Sequence, residues 1–281
     1  MLIAHLTDLH TVAASRLCYG KIDTNHQLRE AITHLGNLCP RPDLVLVSGD
    51  LTEHGSPEEY VALRQILNKL TLPVYLVPGN HDRRNPFLRA FADAEYLPPP
   101  DSPFAHFVCE RWPLRLIGLD TMIDGKRRGQ LCPARLAWLA ARLAESKRKT
   151  LIFMHHPPFR TGLQGMDNQG LKGTRAFCKL IEHHPQVCAI ACGHLHRAVQ
   201  TRIGEALVFS QPSTCHQIAL NLSPNAGLMV DLILEPRAVG LLKFVNGSTV
   251  NHISYVPNNY ELFRPVNPPS LLAQEDDCEY Q

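Results

Sequence analysis

Short apolar blocks alternate with amphipathic stretches over the first two-thirds of the chain. Residues 2–6 (LIAHL), 43–47 (DLVLV), 74–77 (VYLV), 104–108, 114–119, 150–154 (TLIFM) and 187–191 read as strands. Between them the apolar spacing changes to that of a helix. Over 24–38, Leu28, Ala31, Ile32, Leu35 and Leu38 repeat at three-to-four intervals and mark one buried face. A second helix is announced by Ser56-Pro57-Glu58-Glu59. Ser56 is placed to cap it, Pro57 to open it and Glu59 to close a capping box. Pro133 opens a third, with Leu136, Ala140 and Leu143 on one side, and a fourth is expected near 174–183. This strand–helix–strand alternation predicts an α/β fold with right-handed parallel crossovers.

From about residue 197 the pattern shifts to short alternation. Strands are expected at 198–203, 206–210, 216–222, 228–235, 239–245 and 250–255, an antiparallel portion that finishes a second sheet. Residues 83–103 are a proline-rich excursion. Residues 160–173 hold four glycines without apolar periodicity and follow a motif, so they are a candidate pocket-lining loop. The expected organisation is one domain over 1–256 and a proline-rich, then acidic, arm or tail over 257–281.

Composition narrows the partners. The 281 residues are 44% hydrophobic with a formal charge of +2, enough for a sizeable core and too near neutrality for a phosphate-backbone binder. The basic runs GKRRG near 127 and ESKRKT near 148 read as solvated loops or helix ends, and no nucleic-acid partner is expected. The opening MLIAHLTDLH passes straight into a strand, with no signal-peptide pattern, and no apolar run reaches membrane-spanning length. Nine scattered cysteines, an odd number without CxxC spacing, predict reduced thiols and a cytoplasmic protein.

The chemistry lies in five turns that end apolar runs: LTDLH with Asp8 and His10, SGDLTEHG with Asp50, PGNHD with Asn80, MHHPP with His155, and CGHLH with His194 and His196. In a parallel α/β sheet, ligands bind outside the carboxyl ends of the strands, so turns spread over nearly 190 residues can converge. Asp, Asn and His together suit two divalent cations sharing one hydroxide, and Asp50 is the natural bridge. The nitrogen-and-oxygen set favours Fe, Mn, Zn or Co over Ca or Mg. Only two of the seven candidate ligands, Asp8 and Asp50, are anionic, which leaves net positive charge for a phosphate.

The order D-x-H, G-D, G-N-H-D, H-H-P-P, G-H-x-H resembles the calcineurin-like metallophosphoesterases over residues 1–196. With QPSTCHQ added, it is most similar to the branch of class III cyclic-nucleotide phosphodiesterases and glycerophosphodiesterases. The resemblance implies a four-layer α/β/β/α sandwich with mixed sheets. It implies Asp8, His10, Asp50 and His196 around one ion, and Asp50, Asn80, His155 and His194 around the other. It gives His81 the substrate-facing role, while His156 supports its turn. His54 and His216 are further candidates for substrate contact. The implied activity is hydrolysis of small phosphodiesters, 3′,5′-cyclic nucleotides or glycerophosphodiesters, by attack of a metal-bridging hydroxide. A phosphomonoesterase shares this chemistry, and a scaffold without catalysis shares the fold; the intact ligand set argues against the scaffold. Relatives of this kind are often oligomeric, so a homo-oligomer is a further expectation.

Overall fold

A computed structural model describes residues 1–256. The expected arm over 257–281 lies outside the described residues. In chain order the strands are β1 (Leu2–Leu6), β2 (Leu44–Ser48), β3 (Val74–Val77), β4 (Phe107–Cys109), β5 (Arg115–Leu119), β6 (Gly129–Gln130), β7 (Thr150–Met154), β8 (Leu171–Lys172), β9 (Val187–Cys192), β10 (Val199–Ile203), β11 (Ala206–Ser210), β12 (Gln217–Ile218), β13 (Leu232–Ile233), β14 (Arg237–Val245) and β15 (Ser248–Val256). The helices are α1 (Thr24–Asn37), α2 (Pro57–Leu67), α3 (Arg84–Ala90), α4 (Pro133–Ala144), the single turn α5 (Gln164–Asp167) and α6 (Thr174–Glu182). The Ser56–Glu59 capping box is formed at the start of α2.

Two mixed sheets stack face to face. One runs β15-β14-β1-β2-β3 with β1, β2 and β3 parallel; the other runs β10-β11-β9-β7-β5-β4 with β11, β9, β7 and β5 parallel. The central strands are buried on both faces, so alternate side chains enter different cores. Ile3, Leu44, Leu46, Phe153, Ala189 and Phe209 fill the space between the sheets. Ala4, Leu6, Val45 and Val47 face outward onto Leu28, Leu35 and Leu63 of α1 and α2. On the far side Ile152, Met154 and Ile190 pack on Leu139 of α4 and Phe177 of α6. The result is the expected α/β/β/α order of layers.

The C-terminal β portion differs from expectation. The β10–β11 hairpin does extend the second sheet, but β14 and β15 join the first, where β14 pairs antiparallel with β1. Of the strands expected at 216–222 and 228–235, only the two-residue pair β12–β13 forms. Leu220, Leu222, Leu228 and Met229 are exposed, so the alternation there faces no core to stabilise a ladder. The loop expected over 160–173 contains α5 and β8. Among the described residues, no helix is long and apolar enough to cross a membrane.

Candidate metal centre

The parallel strands of both sheets end at one mouth. There the turns after β1, β2, β3, β7 and β9 bring together Asp8, His10, Asp50, Asn80, His155, His194 and His196, all buried. Backbone bonds lock the turns: Asp8 N–H donates to Gly49 O at 3.0 Å and Gly193 N–H to His155 O at 2.9 Å. Gly79 is required for close approach, since a Cβ there would lie 2.2 Å from both the amide nitrogen and Oδ1 of Asp50. Eight non-glycine residues among those described have positive φ, and five are candidate ligands: Asp8 (53°), His10 (46°), Asp50 (47°), His194 (71°) and His196 (48°). Such backbone costs about 1–3 kcal/mol per residue and persists only where packing dictates it. The sharp turns aim successive side chains into one space.

Hydrogen bonding assigns the ring protons. Nδ1 of His155 meets Ser48 O at 2.9 Å, Nδ1 of His196 meets His216 O at 2.8 Å, and Nδ1 of His10 meets a Glu53 carboxylate oxygen at 2.6 Å. Those oxygens only accept, so in each ring Nδ1 donates and Nε2 is the nitrogen left to ligate. These Nε2 atoms converge on further donors and acceptors. His10 Nε2 and His196 Nε2 are 3.2 Å apart, and His196 Nε2 is 3.4 Å from Asp8 Oδ1. His155 Nε2 is 3.1 Å from Asn80 Oδ1 and 3.3 Å from Asp50 Oδ2, which stands 3.9 Å from His10 Nε2. The ligand atoms of Asp8, His10, Asp50 and His196 all lie within 4.8 Å of one another. His194 Nε2 is buried with no hydrogen-bond partner. Nitrogen and oxygen donors gathered this closely, and an orphaned imidazole nitrogen, are what a cation satisfies.

Electrostatics favour a positive charge at the same place. Burial would raise the Asp50 carboxyl, but His155, His81 and His10 outweigh it and hold the group well below the usual carboxylate range. Burial would lower His155, yet Asp50, with Asp8, lifts it to about 9. The cluster thus favours positive charge beside Asp50. Burial, with the neighbouring His156 and His155, holds His194 well below the ordinary histidine value. The donor set therefore fits divalent metal.

The cluster opens into a cavity of about 250 Å³. His81 lines it and donates its backbone N–H to Asp50 Oδ1 at 2.8 Å. His216 lines it beside His196, with ring centroids 4.7 Å apart. His54 is not among the lining residues: its side chain is 74% exposed and bonds Glu59 at 2.8 Å. His156 spends both ring nitrogens elsewhere, on the Thr121 hydroxyl at 2.8 Å and Arg127 O at 3.0 Å. Sequence reasoning passed over four residues. Tyr19 and Arg127 line the cavity, Glu53 braces His10, and buried Asp82 accepts from Leu51, Thr52, Gly79 and Tyr60 to join two ligand turns. Glu53 and Asp82 stood inside the quoted motifs, but nothing local marked them.

The sequence profile of the calcineurin-like phosphoesterases matches residues 1–198. The chain belongs to that family. It is 35% identical over 259 residues to a probable glycerophosphodiester phosphodiesterase, GpdQ, of Arcobacter nitrofigilis, covering 91% of this chain and 93% of the relative. It is 34% identical to a probable cyclic nucleotide phosphodiesterase of a Synechococcus species, covering 76% of this chain and 81% of that one. Among solved structures, a dimetal phosphatase from Danio rerio superposes with a TM-score of 0.65, covering 90% and 95% of the two chains. At 14% identity that likeness is one of fold.

Proposed function

We propose that this member of the family hydrolyses small phosphodiesters at a pair of divalent ions. Asp8, His10, Asp50 and His196 would hold one ion, and Asp50, Asn80, His155 and His194 the other. The chain is a metal-dependent phosphodiesterase, as its family and its relatives indicate. The observation that supports the two-ion reading is the place of Asp50 Oδ2, between His155 Nε2 at 3.3 Å and His10 Nε2 at 3.9 Å. When bound, two such ions lower the pKa of a shared water and neutralise the phosphoryl group.

The chain's own residues supply the rest. Asn80 adds a neutral oxygen, which leaves the centre positive for an anionic diester. His81 bonds Glu53 O through Nδ1 at 2.9 Å. With that proton on Nδ1, only the imidazolium carries a second one on Nε2, and in that form the ring would donate to a phosphoryl oxygen or pass the Nε2 proton to the departing alkoxide. Arg127 at the cavity wall adds charge complementary to phosphate.

Among small diesters we favour a glycerophosphodiester, because relatives 35% and 36% identical over 91% and 78% of this chain bear that name. A cyclic nucleotide is the second reading. Tyr19, Ile218, Val230 and Leu232 form an apolar wall that suits a nucleobase. We place the enzyme in the cytoplasm, with support from eight described cysteines that are all free. The test is a side-by-side measurement of kcat/KM on glycerophosphoethanolamine, cyclic AMP and p-nitrophenyl phosphate with manganese-loaded protein. Diesters should lead, and preference for the monoester would overturn the reading.

A further inference from the structure

Glu53 lies three residues beyond Asp50 and is 8% exposed. Its backbone N–H donates to Thr11 O at 3.0 Å, which ties the turn after β2 to the turn after β1. Its carboxylate accepts from His10 Nδ1 at 2.6 Å, the shortest contact any candidate ligand makes to a supporting group. The same carboxylate is 3.6 Å from His81 Nδ1, and the Glu53 carbonyl takes that nitrogen's proton contact at 2.9 Å. The His10 and His81 rings meet edge to face, with centroids 4.7 Å apart. One residue therefore contacts a candidate ligand and the candidate substrate-facing histidine together. The other two ligand rings with an Nδ1 contact, His155 and His196, are braced by neutral backbone carbonyls.

We propose that Glu53 is a positioning residue that sets the affinity of the ion held by Asp8, His10, Asp50 and His196 and leaves the other ion's affinity unchanged; this rests on the two-ion reading. A carboxylate behind a ligating imidazole fixes its tautomer and raises the basicity of the coordinating nitrogen, and loss of such a partner weakens metal binding about 10–100-fold. Neither Asn80, His155 nor His194 has a hydrogen bond or ion pair to Glu53, so the effect falls on one site. The arrangement gives the two ions unequal retention, with the His10 site dependent on a charge that the other site lacks.

The experiment is a manganese titration of full-length protein, followed by calorimetry and electron paramagnetic resonance. It compares wild type, Glu53→Gln, Glu53→Ala and the exposed control Glu58→Gln. The expected result is two ions per wild-type chain, one of them bound about tenfold more weakly in Glu53→Gln and nearer a hundredfold in Glu53→Ala. The other ion should be unchanged, and excess manganese should restore most of kcat. Glu53→Gln preserves shape, and thermal melting without metal shows that the variant folds. Equal weakening of both ions, or unchanged affinity for both in folded Glu53→Gln, overturns the proposal. A single ion per wild-type chain instead ends the two-ion reading, and this inference with it.

Discussion

The backbone N–H of His194 donates to both carboxylate oxygens of Asp8, at 3.0 and 3.1 Å, across 186 residues of chain. Asp8 follows β1 of one sheet and His194 follows β9 of the other. The centre is thus a clamp between sheets, and metal that binds only the folded form adds stability through it. A hundredfold excess over Kd contributes about 2.7 kcal/mol. Manganese should therefore raise the melting temperature by about 5–10 °C over chelator-treated protein. Differential scanning calorimetry checks this, and an Asp8→Ala protein should show a smaller rise.

Asp50 is the candidate ligand common to both halves of the centre, so its loss should exceed any effect on folding. Asp50→Ala is expected to lower kcat on bis(p-nitrophenyl) phosphate by about 10²–10³-fold or more. Asn80→Ala should also lose orders of magnitude. Full activity in either variant, with metal content measured, would defeat the ligand assignment.

Gly79 has no room to gain a methyl group. A Cβ there would stand 2.2 Å from backbone and carboxylate atoms of Asp50, neither of which is the free end of a flexible side chain. Gly79→Ala should cost about 1–3 kcal/mol of stability and displace Asp50. Denaturant unfolding and metal stoichiometry should fall together; a fully active, equally stable protein would contradict the packing.

Acid should destabilise the protein through His106, which lies outside the centre. Burial lowers it to about 4, only partly opposed by Asp120, and its Nδ1 accepts the Asp120 N–H at 2.9 Å. The unfolded chain protonates this ring near 6.5, so between about 6.5 and 4 it binds more protons than the folded form. Stability is full above about pH 6.5 and declines toward pH 4, by about 3 kcal/mol for this group. His106→Asn should flatten that limb in chemical denaturation across pH. An unchanged slope would show that other groups carry the acid sensitivity.

Much of the architecture is legible one segment at a time. The spacing of Leu28, Ala31, Ile32 and Leu35 marks the buried face of α1, and Ser56 with Glu59 marks the start of α2, because both signals act within a few residues. Alternation at 216–222 and 228–235 misled for the same reason. A strand forms only when a partner and a covering face exist, and Leu220, Leu222 and Leu228 have neither.

From sequence alone, the residue types and their turns already determined the chemistry: seven donors after apolar runs, in an order shared with one family. Tertiary structure alone decided which atoms meet. It turned His54 outward, gave Glu53 to His10, joined the last hairpin to the first strand, and set five candidate ligands in left-handed backbone. Strand periodicity and helix capping are short-range and leave marks in local sequence. The direction of a lone pair, or the carboxylate behind a ring, depends on contacts between residues tens to nearly two hundred positions apart, and only the packed sheets establish those.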